Sequence, residues 1–122
     1  MTISPEKMDQ YRATAQQRLR LAQAKVAERL ALALVVAQQA AAWLKETYGV
    51  ARVVAFGSVA HPQLFHAHSD IDLAVWGLAE HSYYRAVGEL QAIHPAFAID
   101  LIRVEDVSVE LLRTVEAENI PL

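Results

Sequence analysis

Three aspartates stand in apolar runs, Asp70 and Asp72 in "SDIDLAVW" and Asp100 in "FAIDLIRV", and Gly57-Ser58 closes a third run, "ARVVAFGS". Carboxylates in hydrophobic strands are costly to bury unless something positive sits against them. Asp70 and Asp72 are two apart, so strand alternation puts both on one face. Asp100, on another apolar strand, can be brought alongside. Three carboxylates so gathered would repel one another and raise their pKa values, and a divalent cation reverses that logic. Carboxylate oxygen suits Mg²⁺ and Mn²⁺, and Mg²⁺ is commonly held by one or two carboxylates together with substrate phosphates. Gly57 lets backbone N–H groups approach a phosphate closely, and the Ser58 hydroxyl adds a donor. Alone, a Gly-Ser turn or an Asp-x-Asp pair is an ordinary structural feature. In this order, with a third strand aspartate, they point to triphosphate and metal chemistry in which the cation is the missing positive charge.

Nearby residues are weaker candidates. His61, His66 and His68 fall within eight residues, but there is no cysteine and no paired helical spacing to suggest zinc, so they read as loop histidines. Trp76, Tyr83 and Tyr84 read as core or rim rather than a base-stacking platform, and Arg103 as one half of a surface ion pair.

The elements that must position these residues follow from punctuation and period. Ser4 and Pro5 start a helix, and no Gly or Pro follows until Gly49, a natural C-cap. Small and apolar residues at Leu19, Ala22, Val26, Leu30, Ala33, Ala37, Ala40 and Leu44 keep helical spacing. Such a helix, Pro5–Tyr48, is about 60 Å long if unbroken, so it either breaks once or projects. Its first half, with Arg12, Arg18, Arg20, Lys25 and Arg29, has little core to rest on. Leu19, Val26 and Leu30 are therefore expected to pack against another chain, as a homo- or hetero-oligomer through the N-terminal helix. Strands are expected at 51–56, 71–76 and 97–104, and Ser-capped helices at 82–93 and 108–119. The fold class is α/β, a small mixed sheet of three to four strands with flanking helices behind a long N-terminal helix. The chain forms a single domain over 1–122, with an extension over 1–48 and a core over 50–119.

Composition bounds the rest. With 122 residues, 54% hydrophobic and 20% charged, the chain is in the folded globular class. The start "MTISPEKMDQ" lacks the order of a secretory signal, the longest apolar stretch is too short for a membrane span, and the absence of cysteine suits a cytoplasmic setting. Residues 1–50 carry seven Lys/Arg against four Asp/Glu, and residues 51–122 four against ten. The acidic second half argues against direct nucleic-acid binding.

The combination of Gly57-Ser58 with "SDIDLAV" resembles the signature of the polymerase-β-like nucleotidyltransferase superfamily. Within it, the small size and the late "IDLI" resemble the minimal nucleotidyltransferase (MNT) proteins, antitoxins encoded beside a HEPN-type RNase toxin. The resemblance runs from about Val50 to Asn119 and leaves out the long helix. It implies that Gly57 and Ser58 bind the triphosphate of ATP, and that Asp70 and Asp72 ligate two Mg²⁺ ions. Asp100 would ligate the metal nearer the attacking group and help activate the acceptor. The implied reaction moves AMP from ATP to a hydroxyl, a tyrosine of the partner toxin. The sequence departs from the family pattern at His61 and Pro62, where a basic residue and then Gly are usual. That departure leaves a second function open: an antitoxin that neutralises its partner by contact alone. Transfer to a small molecule such as an aminoglycoside would need an acceptor domain for which the chain has no room.

Overall fold

The computed structural model of the chain describes residues 2–122. Helix α1 runs without a break over Pro5–Tyr48, 44 residues or about 66 Å at 1.5 Å per residue. Its ends are the expected ones: the Ser4 hydroxyl accepts from Lys7 N, Pro5 begins the helix, and Gly49 at φ +64° turns the chain away, its N–H bonding Lys45 O. Strand β1 (Arg52–Phe56) leads into a 3₁₀ turn over Gly57–Ala60, and β2 follows at Ile71–Trp76. Then come α2 (Tyr83–Leu90), β3 (Ile99–Arg103), α3 (Val109–Ala117) and a two-residue strand, β4 (Ile120–Pro121). The expected helix starting at Ser82 differs in detail. Glu80–Ser82 forms a 3₁₀ turn that runs into α2, and the Ser82 side chain caps nothing, whereas Ser108 does cap α3 through Leu111 N.

The sheet has the order β3-β2-β1-β4; β2 and β3 are parallel, and β1 is antiparallel to both its neighbours. Strand alternation divides its residues between two cores. Val53, Ala55, Ile71, Leu73, Val75, Ile99 and Leu101 face α1 and α2, where Ala33, Val36, Ala37, Ala40, Ala41 and Leu44 of α1 fill the space. The alanines let the helix approach the sheet closely. On the other face Val54 and Ala74 pack with Val104 and Val115, joined by Phe56, Trp76, Ile102, Leu111 and Leu112 under α3.

Because α1 continues past the sheet, residues 2–25 are all exposed. Val26 and Leu30, expected to meet another chain, instead pack partly buried on this domain's own core. Leu19, 58% exposed, is the member of that trio left uncovered. The domain reaches further up the helix than length alone suggested. Among the described residues no helix is long and apolar enough to cross a membrane.

Candidate functional site

The site forms where the row of residues Phe56, Asp72 and Asp100 crosses three strands. Phe56 is the register partner of Asp72, and Asp72 that of Asp100. All three alternate onto the α3 side of the sheet. Parallel pairing therefore stacks two carboxylates side by side, the half-buried Asp72 next to the exposed Asp100. Burial pushes the Asp72 carboxyl above its ordinary range, and the Asp100 and Asp70 carboxylates raise it further.

Gly57 completes this corner. It sits at φ +67°, and a Cβ built on it would lie 2.5 Å from Asp72 Oδ2. Only glycine admits both the backbone turn and the carboxylate at that distance. Ser58 follows in the 3₁₀ turn, where its carbonyl accepts from His61 N at 3.1 Å. Beside the turn opens a cavity of about 350 Å³ lined by Phe56, Gly57, Ser58, His61, Thr114 and Glu118 among others. The Asp72 carboxylate borders Gly57, and neither Asp72 nor Asp100 lines this cavity.

Asp70 is placed differently from the strand-face expectation. It precedes β2, and its Oδ1 accepts from Ala98 N at 3.1 Å and lies 3.7 Å from Arg29 Nη2. As the side chains stand, no three His, Cys, Asp or Glu among the described residues are grouped to hold a metal ion. The structure pairs Asp72 with Asp100, and Asp70 is the member tied elsewhere, by an amide and a guanidinium.

A hard divalent cation nevertheless fits the donor chemistry. Two carboxylates stand side by side, the Asp72 carboxyl is held above its ordinary range by burial and by the Asp100 and Asp70 carboxylates, and all donors are oxygen. Asp72 and Asp100 would hold the ion, with Asp70 joining on a side-chain rotation.

The remaining residues singled out in the sequence have structural partners. His61 pairs with Glu118 across the cavity. His66 accepts from His68 N through Nδ1 within its own loop. Trp76 lies under the Arg52 guanidinium, Tyr83 donates to Leu101 O, and Tyr84 is exposed. Arg103 binds Asp106 and Leu78 O, as the ion-pair expectation had it. Arg29, counted in the sequence among the basic residues with little core to rest on, instead donates through its guanidinium to Ser69 O at the start of the acidic motif. The signal was its spacing of three from Val26 and four from Ala33, which sets an arginine beside the buried stripe.

Comparison with known proteins bears on the same segment. The family described as Polymerase beta, Nucleotidyltransferase matches residues 38–122. A solved toxin–antitoxin structure with AMP-PNP superposes with a TM-score of 0.57 at 20% identity, over 68% of this chain and 69% of that one. A tri-AMPylated HEPN toxin from Shewanella oneidensis in complex with MNT antitoxin gives 0.55 at 17%, over 72% and 69%. A mutant MntA-HpeT toxin–antitoxin complex gives 0.59 at 21%, over 70% and 69%. No curated protein sequence matches the chain significantly. At these identities the solved structures speak for the fold alone, but the family match takes in every strand, the Gly-Ser turn and all three aspartates. By that match the chain belongs to the polymerase beta nucleotidyltransferase family.

Proposed function

We propose that the chain is an MNT-type antitoxin, a Mg²⁺-dependent nucleotidyltransferase that moves AMP from ATP to a hydroxyl, a tyrosine of a HEPN-type toxin encoded nearby. The observation that carries the reading is the Asp72–Asp100 pair, locked in register, with Asp72 fitted against Gly57 at the head of the Gly-Ser turn. The solved complexes of this fold that contain an AMP-PNP or a tri-AMPylated toxin support it.

In this mechanism Gly57 and Ser58 bind the β- and γ-phosphates through backbone N–H groups and the Ser58 hydroxyl. Asp70, Asp72 and Asp100 would hold two Mg²⁺ ions, which when bound neutralise phosphate charge and lower the pKa of the acceptor hydroxyl. Asp100 is the most exposed of the three, which suits it to meet an incoming acceptor. Its carboxylate accepts the hydroxyl proton as the acceptor oxygen forms a bond to the α-phosphorus. The bond to the β-phosphate oxygen breaks in line and pyrophosphate leaves. Asp72, half-buried beside Asp100, keeps the pair fixed, so that positioning supplies much of the rate.

The uncovered stripe of α1, continuing from Val26 through Leu19 to Tyr11, is the surface we assign to the toxin, and the action is cytoplasmic. One observation favours a second reading, in which the antitoxin acts by contact alone. His61, at the position of the family's basic residue, is already engaged by Glu118.

The test is incubation of the full chain with α-labelled ATP, Mg²⁺ and the purified neighbouring protein. Label should appear on that protein and disappear with Asp72→Asn. Neutralisation of the toxin without any label would establish the contact-only reading instead.

A further inference from the structure

Arg29 belongs to α1 and lies outside the residues that match the family, yet it reaches both loops that enter the acid-bearing strands. Its Nε and Nη2 donate to Ser69 O at 3.2 and 2.8 Å, and Nη2 donates to Ala96 O at 3.0 Å. The guanidinium lies 4.2 Å from the centre of the Phe97 ring, and Nη2 is 3.7 Å from Asp70 Oδ1. Ser69 immediately precedes Asp70 and is buried, and Ala96 lies two residues before Ala98, whose N–H holds the same Asp70 oxygen. The two loops also meet directly, Ile71 N donating to Ala98 O at 3.1 Å.

We propose that Arg29 is a positioning residue for the carboxylate cluster. It ties together the starts of β2 and β3 through Ser69 O and Ala96 O, so that Asp72 and Asp100 stand abreast. The long helix is then part of the site's construction as well as a projecting arm. The assignment rests on reading the cluster as a divalent-cation centre. The chemistry calls for arginine: one planar fork bridges two carbonyls, stacks on an aromatic ring and keeps its charge, which a lysine ammonium cannot do at once. Groups that orient a metal's carboxylate ligands commonly change metal affinity 10- to 100-fold when removed.

The experiment uses the full chain with Mn²⁺ alone as the probe, comparing Arg29→Met, Arg29→Lys and Val36→Ala. Val36 is buried on the same helix and lies outside the acid cluster, so its variant reports a simple loss of helix packing. Arg29→Met should weaken Mn²⁺ binding about tenfold or more, Arg29→Lys less, and Val36→Ala under twofold. The Ala98 amide should lose hydrogen-exchange protection in Arg29→Met relative to Val36→Ala. Unchanged or tighter Mn²⁺ binding in Arg29→Met, or an equally protected Ala98 amide, would overturn the assignment. If the wild-type chain bound no Mn²⁺, the metal reading itself would fall, and Ala98 exchange would still decide whether Arg29 holds the Asp70 loop.

Discussion

Replacing Gly57 by alanine separates two costs that the structure keeps apart at two glycines. Gly49 and Gly57 have nearly the same backbone, φ +64° and +67°, but a Cβ on Gly49 meets nothing within 4 Å, whereas one on Gly57 meets Asp72 Oδ2 at 2.5 Å. Holding an alanine in the left-handed region costs about 1–2 kcal/mol, partly offset by the entropy the unfolded chain loses. Gly49→Ala should therefore cost about 1 kcal/mol. At Gly57 the carboxylate must also leave its position, and an off-rotamer side chain adds about 0.5–1.5 kcal/mol. The total there is about 2 kcal/mol, and with a urea slope near 2 kcal/mol/M the two variants should differ by roughly 0.5 M in midpoint. In an Asp72→Ala background the excess should vanish and the Gly57→Ala cost fall to that of Gly49→Ala. Nucleotide transfer should drop on the order of 100-fold in Gly57→Ala, as expected for a catalytic group moved by about 1 Å, and stay near normal in Gly49→Ala. Equal midpoints for the two variants, or an excess that persists without the Asp72 carboxylate, would refute the reasoning.

Three further outcomes are expected. Because the folded-state pKa of Asp72 is raised, its contribution to stability is full below the ordinary carboxyl range near 4 and lost as pH rises through the folded value. Asp72→Asn should thus be more stable than wild type at neutral pH without metal, an advantage that fades on acidification, as pH-dependent thermal unfolding will show. Mg²⁺ at a hundred times its dissociation constant should stabilise wild type by about 2.7 kcal/mol and Asp72→Asn far less, reversing their order. Leu30→Ala, which thins the domain's own core, should lower the denaturant midpoint by about 2 kcal/mol equivalent, whereas Leu19→Ala should stay within about 0.5 kcal/mol and weaken partner binding in a titration.

What the chain carries locally could be read from it. The limits of α1 follow from Ser4, Pro5 and Gly49, because caps and turn conformations are properties of a few adjacent residues. The bounds of β2 and the face of Asp72 follow from alternation, which needs only the strand itself. The family signature lies in one short segment, so it too was legible. Register is another matter. That Asp100 stands opposite Asp72 depends on parallel pairing between segments 28 residues apart, which no local pattern encodes. Asp70 falls just before the strand, and its carboxylate is taken up by Ala98 N and Arg29, partners supplied by other parts of the chain. Strand β4 is two residues long, too short to carry a period, and exists because β1 offers it an edge. Val26 and Leu30 looked partnerless because helix length was counted against an assumed domain width. Arg29 joins positions 40 and 67 residues away along the chain, contacts that arise only once α1 lies across the sheet.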